Sequence, residues 1–322
     1  MPAGTIYLTE ASSGAPALSG TNGALVAVLD WALVQKGWAI EYTGSNARVY
    51  RPGAGNRHRL YVAHDSAISG DARLATVRGC ENAGSVTSLT DPFPTVAQKA
   101  NNLSTVCVST LTTSAARPYR IILTDRFLLL ATCCGGVNTQ LWDLFMFGDL
   151  YGADPADTYA TVCHIGDSNT NSTTTGRGMA GAVCSVPAPG KTFFARSIDT
   201  TQKSTYGCCA GQVNSSAPST FCTNGAQSPA MRAGYNGRIV REKVGAHCTG
   251  ANTTTPNTIA VNKRGWLPNL WNPLHSGIGT VTTDDTFADT AYSATASFTL
   301  AAASTAIAVI LETTDTWSVP SG

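Results

Sequence analysis

A histidine, an aspartate and a serine occur together in the segment His164-Ile-Gly-Asp-Ser168, and these residue types could carry out nucleophilic hydrolysis. In such enzymes a histidine takes the proton of the serine hydroxyl while an acidic residue orients the histidine. Ser168, however, lacks the full Gly-x-Ser-x-Gly elbow and a following helical pattern. We therefore favour a turn in which Asp167 and Ser168 bond the local backbone, and predict no catalytic residues and no enzyme.

Three carboxylates, Asp149, Asp154 and Asp157, cluster in a segment that contains glycine and proline. Carboxylate oxygens are the ligands that calcium prefers. Their spacing does not reproduce an EF-hand loop, so a solvated turn is the favoured interpretation and calcium is the alternative. We predict no metal and no cofactor.

Ten cysteines occur in the chain without any Cys-x-x-Cys pair, which argues against a zinc site. One interpretation is that they are buried thiols that pack as small apolar groups. The other is that disulfides form after release into an oxidising medium, with the pairing left open. The predicted disulfide cysteines are Cys163, Cys184, Cys208, Cys209, Cys222 and Cys248. A metal site made by Cys163-His164 and His247-Cys248 is a lesser alternative.

Two arginines and two tryptophans are the candidate interface residues. Arg117 and Arg120 flank a Pro-Tyr pair, and their guanidinium groups could bind a carboxylate of a neighbouring strand or subunit. Trp266 and Trp271 lie in a proline-bracketed segment. We expect them to anchor a core or an interface, because aromatic residues dominate both, and sugar binding is the alternative.

Composition favours a protein whose surface is buried again by neighbouring copies. Charged residues make up 13% of the 322 residues, while 43% are hydrophobic, which is enough for a core. The formal net charge of +1 provides no field for nucleic acid, so we expect no direct nucleic-acid partner. The N-terminus lacks the pattern of a signal peptide, and the longest apolar run, 300–311, is too short for a membrane span, so we expect no membrane insertion.

The elements that must position these residues are mostly short strands. Apolar residues at helical spacing predict one helix over 22–36, with Thr21 or Asn22 able to cap its first turn. Alternating segments separated by turn residues then predict an antiparallel sheet with one solvated face. The predicted strands are 38–42, 47–51, 59–63, 74–78, 119–123, 126–132, 142–150, 294–300 and 305–311.

Two connecting segments complete this pattern. The prolines of 91–95 predict a rigid connector that leads into a short helix near 96–101. The fold class is therefore mainly β, with antiparallel sheets or a sandwich, one short N-terminal helix and long ordered loops. We divide the chain into a β-rich domain at 1–162, a loop region rich in Cys, Ser, Thr and Asn at 163–257, and a C-terminal β segment at 258–322.

An ordered series of short segments resembles virion structural proteins of long-tailed bacteriophages. The segments are Leu18-Ser-Gly-Thr-Asn-Gly-Ala-Leu-Val-Ala-Val-Leu-Asp, Gly37-Trp, Val49-Tyr-Arg-Pro-Gly with Arg59-Leu-Tyr-Val, Asp91-Pro-Phe-Pro-Thr, Ala116-Arg-Pro-Tyr-Arg, Phe147-Gly-Asp-Leu with Asp157-Thr-Tyr, and Gly265-Trp-Leu-Pro-Asn-Leu-Trp-Asn-Pro-Leu-His. They cover most of 1–160 and 265–322, whereas 163–250 differs from the usual middle region of the family. The resemblance implies no catalytic residues in this chain.

The resemblance implies a structural subunit of a tailed-phage virion, made in the host cytoplasm and assembled in multiple copies. We predict a tail or tail-tip position, because the polar middle region resembles a displayed surface. A capsid-decorating or head-tail neck protein is the first alternative, and a module that binds a host receptor or glycan is the second. The expected partners are other virion proteins and further copies of the chain itself.

Overall fold

A computed structural model describes residues 4–97, 100–135, 142–153 and 155–165, together with strands at 193–195, 206–209, 241–248, 262–273, 297–301 and 308–312. In these six later strands the side chains are described at 265–269 only. The strands are β1 Ile6–Thr9, β2 Ala39–Thr43, β3 Ala47–Arg51, β4 Arg59–Ala63, β5 Leu74–Ser85, β6 Ser88–Phe93, β7 Thr105–Cys107, β8 Tyr119–Leu123, β9 Phe127–Cys133, β10 Trp142–Asp149, β11 Thr161–His164, β12 Phe193–Ala195, β13 Tyr206–Cys209, β14 Arg241–Cys248, β15 Asn262–Pro273, β16 Ser297–Ala301 and β17 Ala308–Glu312.

These strands form three antiparallel sheets. The first sheet has the order β1-β8-β9-β10-β11-β12. The second has the order β2-β3-β4-β5-β6, and β7 also pairs with β5. The third has the order β13-β14-β15-β17-β16. The prediction of a mainly β, antiparallel fold is confirmed.

One apolar core lies between the first two sheets. It combines side chains of β8, β9 and β10 from the first sheet with side chains of β3, β4 and β5 from the second. The alternation along β4 places Leu60 and Val62 in this core, as expected for a strand whose successive side chains point to opposite faces. The two sheets therefore form the layers of a sandwich, and the helix α1 packs against the same core.

The predicted N-terminal helix is confirmed, but its cap is not the predicted one. α1 spans Ala24–Leu33 and continues as a 3-10 helix over Val34–Lys36. Its N-cap is Gly23, at φ 83°, and makes no side-chain capping bond. Instead, the backbone N–H of Leu25 donates to His64 Nδ1 at 3.0 Å. Asn22 is not available as a cap because its Oδ1 accepts from Ser66 N, at the start of the short helix α2, Ser66–Ser69.

The segment predicted as a connector and a short helix folds differently. Residues 91–93 belong to β6, where Pro92 is tolerated because β6 is an edge strand. The described residues of 96–101 lie in turns or irregular backbone rather than in a helix. The reason is that side chains of β5 bind Asn101: Thr76 Oγ1 donates to its backbone oxygen and Arg78 Nη2 to its side-chain oxygen, both at 3.0 Å.

The prediction that one face of the second sheet is solvated is wrong for part of that face. A second apolar cluster covers it, formed by Ala47, Val49, Tyr61, Ala63, Cys80 and Ala83. Arg78 of β5 pairs in register with Tyr61 of β4, and Arg78 is 2% exposed. The sheet thus has packed side chains on both faces, although its strands alternate polar and apolar residues.

The predicted domain division stays a prediction, but strand pairing links its parts. β11 continues across position 162, and β14 of the middle region pairs with β15 of the C-terminal segment. A further link is the antiparallel bridge between Tyr151 and Trp266. Within the described ranges, no helix is long and apolar enough to cross a membrane.

Candidate functional site

The end of β10 carries a partly buried carboxylate that joins the first two sheets. Asp149 Oδ2 accepts a hydrogen bond from the backbone N–H of Asn56 at 2.7 Å, and Oδ1 accepts one from the Thr161 hydroxyl at 2.6 Å. Asn56 lies in the β3–β4 loop, and its Nδ2 donates to Thr161 Oγ1 at 3.3 Å. A single carboxylate therefore holds a loop of the second sheet against β10 and β11.

Burial dominates the electrostatics of this carboxylate. Removal from water raises the pKa of Asp149, and the hydrogen bonds from Thr161 and Asn56 and the charge of Arg126 oppose that rise. Both oxygens already accept hydrogen bonds from the protein. The group is therefore suited to joining protein segments, because its acceptors are directed at protein donors.

Two glycines make the close approach at this point possible. Gly148 has φ 136°, and a Cβ added there would collide with the backbone of Arg126 and Phe127. Gly55 has φ 75°, and a Cβ added there would collide with the Asp149 carboxylate. Residues other than glycine rarely adopt a backbone with positive φ, so both positions require glycine.

The same β3–β4 loop brings an aromatic group next to this carboxylate junction. The His58 ring stacks on Tyr159 with a centroid distance of 5.9 Å and meets Phe93 edge-on at 5.8 Å. The Tyr159 backbone N–H in turn donates to Asp157 Oδ1 at 3.1 Å. These contacts add apolar and hydrogen-bonded packing to the junction between the loop and the first sheet.

The segment for which calcium binding is the alternative interpretation does not bring its described carboxylates together on one ion site. Asp149 faces Asn56 and Thr161, Asp157 faces the backbone of Tyr159, and Asp154 lies outside the described residues. Among the described residues, no group of three or more His, Cys, Asp or Glu side chains could hold a metal ion. The two described aspartates serve as hydrogen-bond acceptors for loops and turns.

The other end of β10 carries a second carboxylate, which the sequence analysis missed. Asp143 is 0% exposed, and its Oδ2 accepts from the backbone N–H of Cys107 at 2.7 Å while Oδ1 accepts from Leu144 N at 3.0 Å. The Thr132 hydroxyl donates to the Cys107 carbonyl oxygen at 2.7 Å. Two side chains of the first sheet thus bind both backbone groups of Cys107 on β7. An aspartate within an otherwise apolar strand was the available sequence signal.

Two further buried ionisable side chains also support loops and helix ends. Arg78 Nη1 donates to Pro94 O at 2.6 Å, and burial lowers the pKa of this guanidinium to about 10. His64 accepts from Leu25 N at Nδ1, and its Nε2 lies 2.8 Å from the Ala72 carbonyl oxygen. Nδ1 accepts a hydrogen bond and therefore carries no proton, while Nε2 must donate because a carbonyl oxygen can only accept. His64 is therefore neutral, with its proton on Nε2. Burial lowers the pKa of His64, which favours this neutral form.

The candidate hydrolase residues are only partly described. His164 lies in β11, is 2% exposed, and pairs through its backbone with Met146 of β10. Asp167 and Ser168 lie outside the described residues. The buried position of His164 fits a core residue of the first sheet.

The two candidate interface arginines bind within the chain and do not form a common site. Arg120 Nη1 forms an ion pair with Glu10 Oε2 at 2.8 Å, where Glu10 directly follows the neighbouring strand β1. Arg117 is 8% exposed, its Nε donates to Ser109 Oγ at 2.9 Å, and its backbone bridges to Leu18. The predicted grip on a neighbouring strand is present for Arg120, and a grip on a second subunit stays a prediction.

The two candidate tryptophans both lie on β15. Trp266 is half-buried, and its backbone exchanges two 2.9 Å hydrogen bonds with Tyr151. Its ring also lies close to Gly152, where an added Cβ would come within 3.3 Å of Cδ1. Trp271 pairs through its backbone with Lys243 and Ile310, while its side chain lies outside the described part. Trp266 is therefore an internal anchor between sheets, and a role in contacts between subunits stays a prediction.

Among the six predicted disulfide cysteines, Cys163 is the one whose side chain lies in the described part of the chain. Cys163 is a buried thiol in β11. Cys208, Cys209 and Cys248 lie on the paired strands β13 and β14, with only their backbone described. Cys184 and Cys222 lie outside the described residues, as do the side chains of the alternative metal site on His247 and Cys248. The disulfide prediction therefore stays open.

The fold and these contacts define an antiparallel β-sandwich protein whose described buried charges join sheets and loops. No protein-family model matches the chain, and no curated protein matches its sequence.

Proposed function

We propose that the chain is a structural subunit of a tailed-bacteriophage virion, in the tail or at the tail tip. The observation that carries this proposal is that segments of the phage-like series contact one another across the fold. Leu18 bridges to Arg117, and Trp266 bridges to Tyr151, which directly follows Phe147-Gly-Asp-Leu. These contacts between segments of the series support a shared structural role.

A second contact set supports the same proposal. Trp38, the tryptophan of the Gly37-Trp segment, is 3% exposed and donates from Nε1 to the Thr124 carbonyl oxygen at 2.9 Å. It thereby attaches the start of the second sheet to the β8–β9 turn of the first. Asp149, from the Phe147-Gly-Asp-Leu segment, binds Asn56 of the β3–β4 loop. These residues attach the two sheets to each other, which is what a repeated assembly unit needs.

The arrangement of buried and partly buried ionisable groups supports a non-enzymatic role. Asp143, Asp149, His64 and Arg78 each form hydrogen bonds with backbone groups or neutral side chains that connect elements. An acid or base catalyst instead presents its titratable atom to a substrate. Assembly through surfaces is therefore the favoured mode of action.

The edge of the second sheet is the described surface that we would test first for assembly. Val34 and Ile40, on either side of the turn that connects α1 to β2, are 52% and 39% exposed. β2 is an edge strand, so its outer backbone groups can pair with another chain. Ile40→Asp should lower self-association by placing a charge on this edge. Val96→Asp is a matched control, because Val96 is 60% exposed and lies away from β2 in sequence.

Immunogold labelling of intact particles tests the proposed position. An antibody against the purified chain should label tails or tail tips, and preincubation with the purified chain should remove the label. Label over heads or at the neck would overturn the tail position and favour the capsid or neck alternative. Unlabelled particles, with an antibody that detects the chain in disrupted particles, would overturn an exposed tail position. Absence of the chain from disrupted, purified particles would overturn the virion role.

A further inference from the structure

Two cysteine side chains meet where β7 contacts the first sheet. Cys107 is the last residue of β7, and Cys134 directly follows β9. Both are fully buried thiols, and with Leu74 they form a separate small cluster. The Cys107 thiol donates to the Ser109 carbonyl oxygen at 3.5 Å, and the Cys134 thiol lies close enough to Cys107 to hydrogen-bond to it. The two sulfur atoms are therefore neighbours, although they belong to elements of different sheets.

Backbone contacts hold both cysteines in place. The Cys107 N–H and C=O groups bind Asp143 and Thr132, as described above. The Cys134 carbonyl oxygen accepts from Thr110 N at 2.8 Å, and Cys133 N donates to Pro118 O at 2.9 Å. These contacts fix the main chain on both sides of the buried cluster that contains the two thiols. A disulfide needs this fixed proximity.

We propose that Cys107 and Cys134 form an intramolecular disulfide when the chain folds in an oxidising medium. The pair differs from the cysteines predicted from the sequence, which all lie at 163 and beyond. The inference does not depend on the proposed virion role, since it rests only on the contact between the two thiols.

The oxidant would be a low-molecular-weight disulfide such as oxidised glutathione. The thiolate of one cysteine attacks a sulfur of this compound, breaks its S–S bond and releases one small thiol. The thiolate of the second cysteine then attacks the mixed disulfide, forms the Cys107–Cys134 bond and releases the second small thiol. The two protein thiols lose two electrons and two protons, and the small disulfide gains them.

The burial of the two thiols determines the stage of folding at which the disulfide can form. The hydrogen bond with Cys107 and the buried position raise the pKa of Cys134, which keeps its thiol protonated and poorly reactive in the folded chain. We therefore expect the disulfide to form during folding, when both thiols are exposed to the oxidant, and to be shielded from reductants afterwards.

The bond would link the first two sheets. It would close a loop from position 107 to position 134 and restrict the unfolded chain. For a loop of this size in a chain of this length, we expect the melting temperature to rise by roughly 5 °C on oxidation.

The direct test is peptide mapping of the full chain after refolding with oxidised and reduced glutathione. Trypsin places Cys107 in segment 100–120 and Cys134 in segment 127–177. We expect a reducible species in which these segments are joined, with fragmentation placing the bond at Cys134 and not at the adjacent Cys133 or at Cys163. Unlinked segments after oxidative refolding to the native fold, or a bond to another cysteine, would overturn the proposal.

Variants provide a second readout. In Cys107→Ala the joined species and the oxidation-dependent rise in melting temperature should both disappear. Cys80→Ala is the matched control, because Cys80 is an equally buried thiol in a different cluster and its loss should leave both readouts unchanged. A rise in melting temperature that persists in Cys107→Ala would contradict the proposal. If Cys107→Ala does not fold, the peptide map of the unaltered chain decides the question.

Discussion

The two ends of β10 use the same side chain in different surroundings. At the first end, Asp143 is fully buried and binds the backbone of Cys107, which belongs to a strand paired with the second sheet. At the other end, Asp149 binds the backbone of a loop and a threonine hydroxyl, with Arg126 nearby. One carboxylate attaches a strand and the other attaches a loop.

The difference shows how two sheets can be joined without strand pairing between them. A carboxylate accepts two or more hydrogen bonds from backbone groups that would otherwise be buried without partners. At Asp143 the attached backbone belongs to β7, a strand of the second sheet, so the hydrogen bond fixes the position of that sheet relative to β10. At Asp149 the attached loop needs glycine at position 55 to approach closely. We expect the strand attachment to contribute more to stability than the loop attachment.

The largest effect is expected at the strand end. Asp143→Ala leaves the N–H groups of Cys107 and Leu144 buried and unsatisfied, and should lower the free energy of unfolding by about 4 kcal/mol. Urea denaturation of the purified variant measures this value. Asp143→Asn keeps the size and one acceptor oxygen, so it should recover part of the loss. A change of less than about 1 kcal/mol for Asp143→Ala would remove the basis for ranking the strand end first.

A somewhat smaller effect is expected from the backbone beside Asp149. Gly148→Ala brings a methyl group against the Arg126 and Phe127 backbone at a φ that alanine rarely adopts, and should cost about 3 kcal/mol. Gly84→Ala is the control, because an added Cβ meets only Ser88 side-chain atoms, at 3.5 Å and beyond. Thermal unfolding of the two variants compares them. Equal melting temperatures would mean that the approach at Gly148 is not constrained.

Substitution of Asp149 itself should lower stability less than substitution of Asp143 or Gly148. Asp149→Ala should lower the free energy of unfolding by about 2 kcal/mol, because the N–H of Asn56 and the hydroxyl of Thr161 can regain partners once the loop moves. Asp125→Ala is a control, since its ion pair with Arg126 is long, at 3.7 Å.

Combining Asp143→Ala with Asp149→Ala should give additive losses of unfolding free energy, because six positions along a strand separate the two residues by about 20 Å. Strong coupling would indicate that both ends belong to one cooperative network.

The smallest effect is a dependence on pH. The pKa of Asp149 in the folded chain is raised above that of an aspartate in the unfolded chain, so between the unfolded pKa and the folded pKa the folded chain binds more protons than the unfolded chain. The contribution of Asp149 to stability is thus fully present below the unfolded pKa and is lost as pH rises through the folded pKa. The difference in unfolding free energy between wild type and Asp149→Asn should therefore fall with rising pH across this window. A difference that grows with pH would contradict the raised pKa.

The regular elements could be predicted from the sequence because their signals are local. The segments Arg59–Ala63 and Tyr119–Leu123 are strands at the predicted bounds, and α1 lies within its predicted range. The cap of α1 could not be predicted, because its acceptor is on His64, 39 positions from the donor. The strand at 91–93 was interpreted as a connector because proline is tolerated only at an edge, and edges are defined by the whole sheet.

The carboxylate junctions were recognisable in part. Asp149 was selected from its sequence surroundings, but as a metal ligand or a solvated turn residue, because its partner Asn56 is 93 positions away. Asp143 could have been selected as the polar residue of an apolar strand. Its partner on β7 could not, since a three-residue strand has too few positions to show a pattern.

The pairing of β1 with β8 has a consequence for the order of folding. β1 ends at Thr9, and its partner in the first sheet ends at Leu123, with the Glu10–Arg120 ion pair closing a separation of 110 positions. A ribosome needs roughly 5–20 s to synthesise such a length. During that time the second sheet and α1 can form from contiguous sequence, while β1 has no partner strand. Contacts of such long sequence separation slow folding, so we expect the first sheet to be completed after the second and at a lower rate.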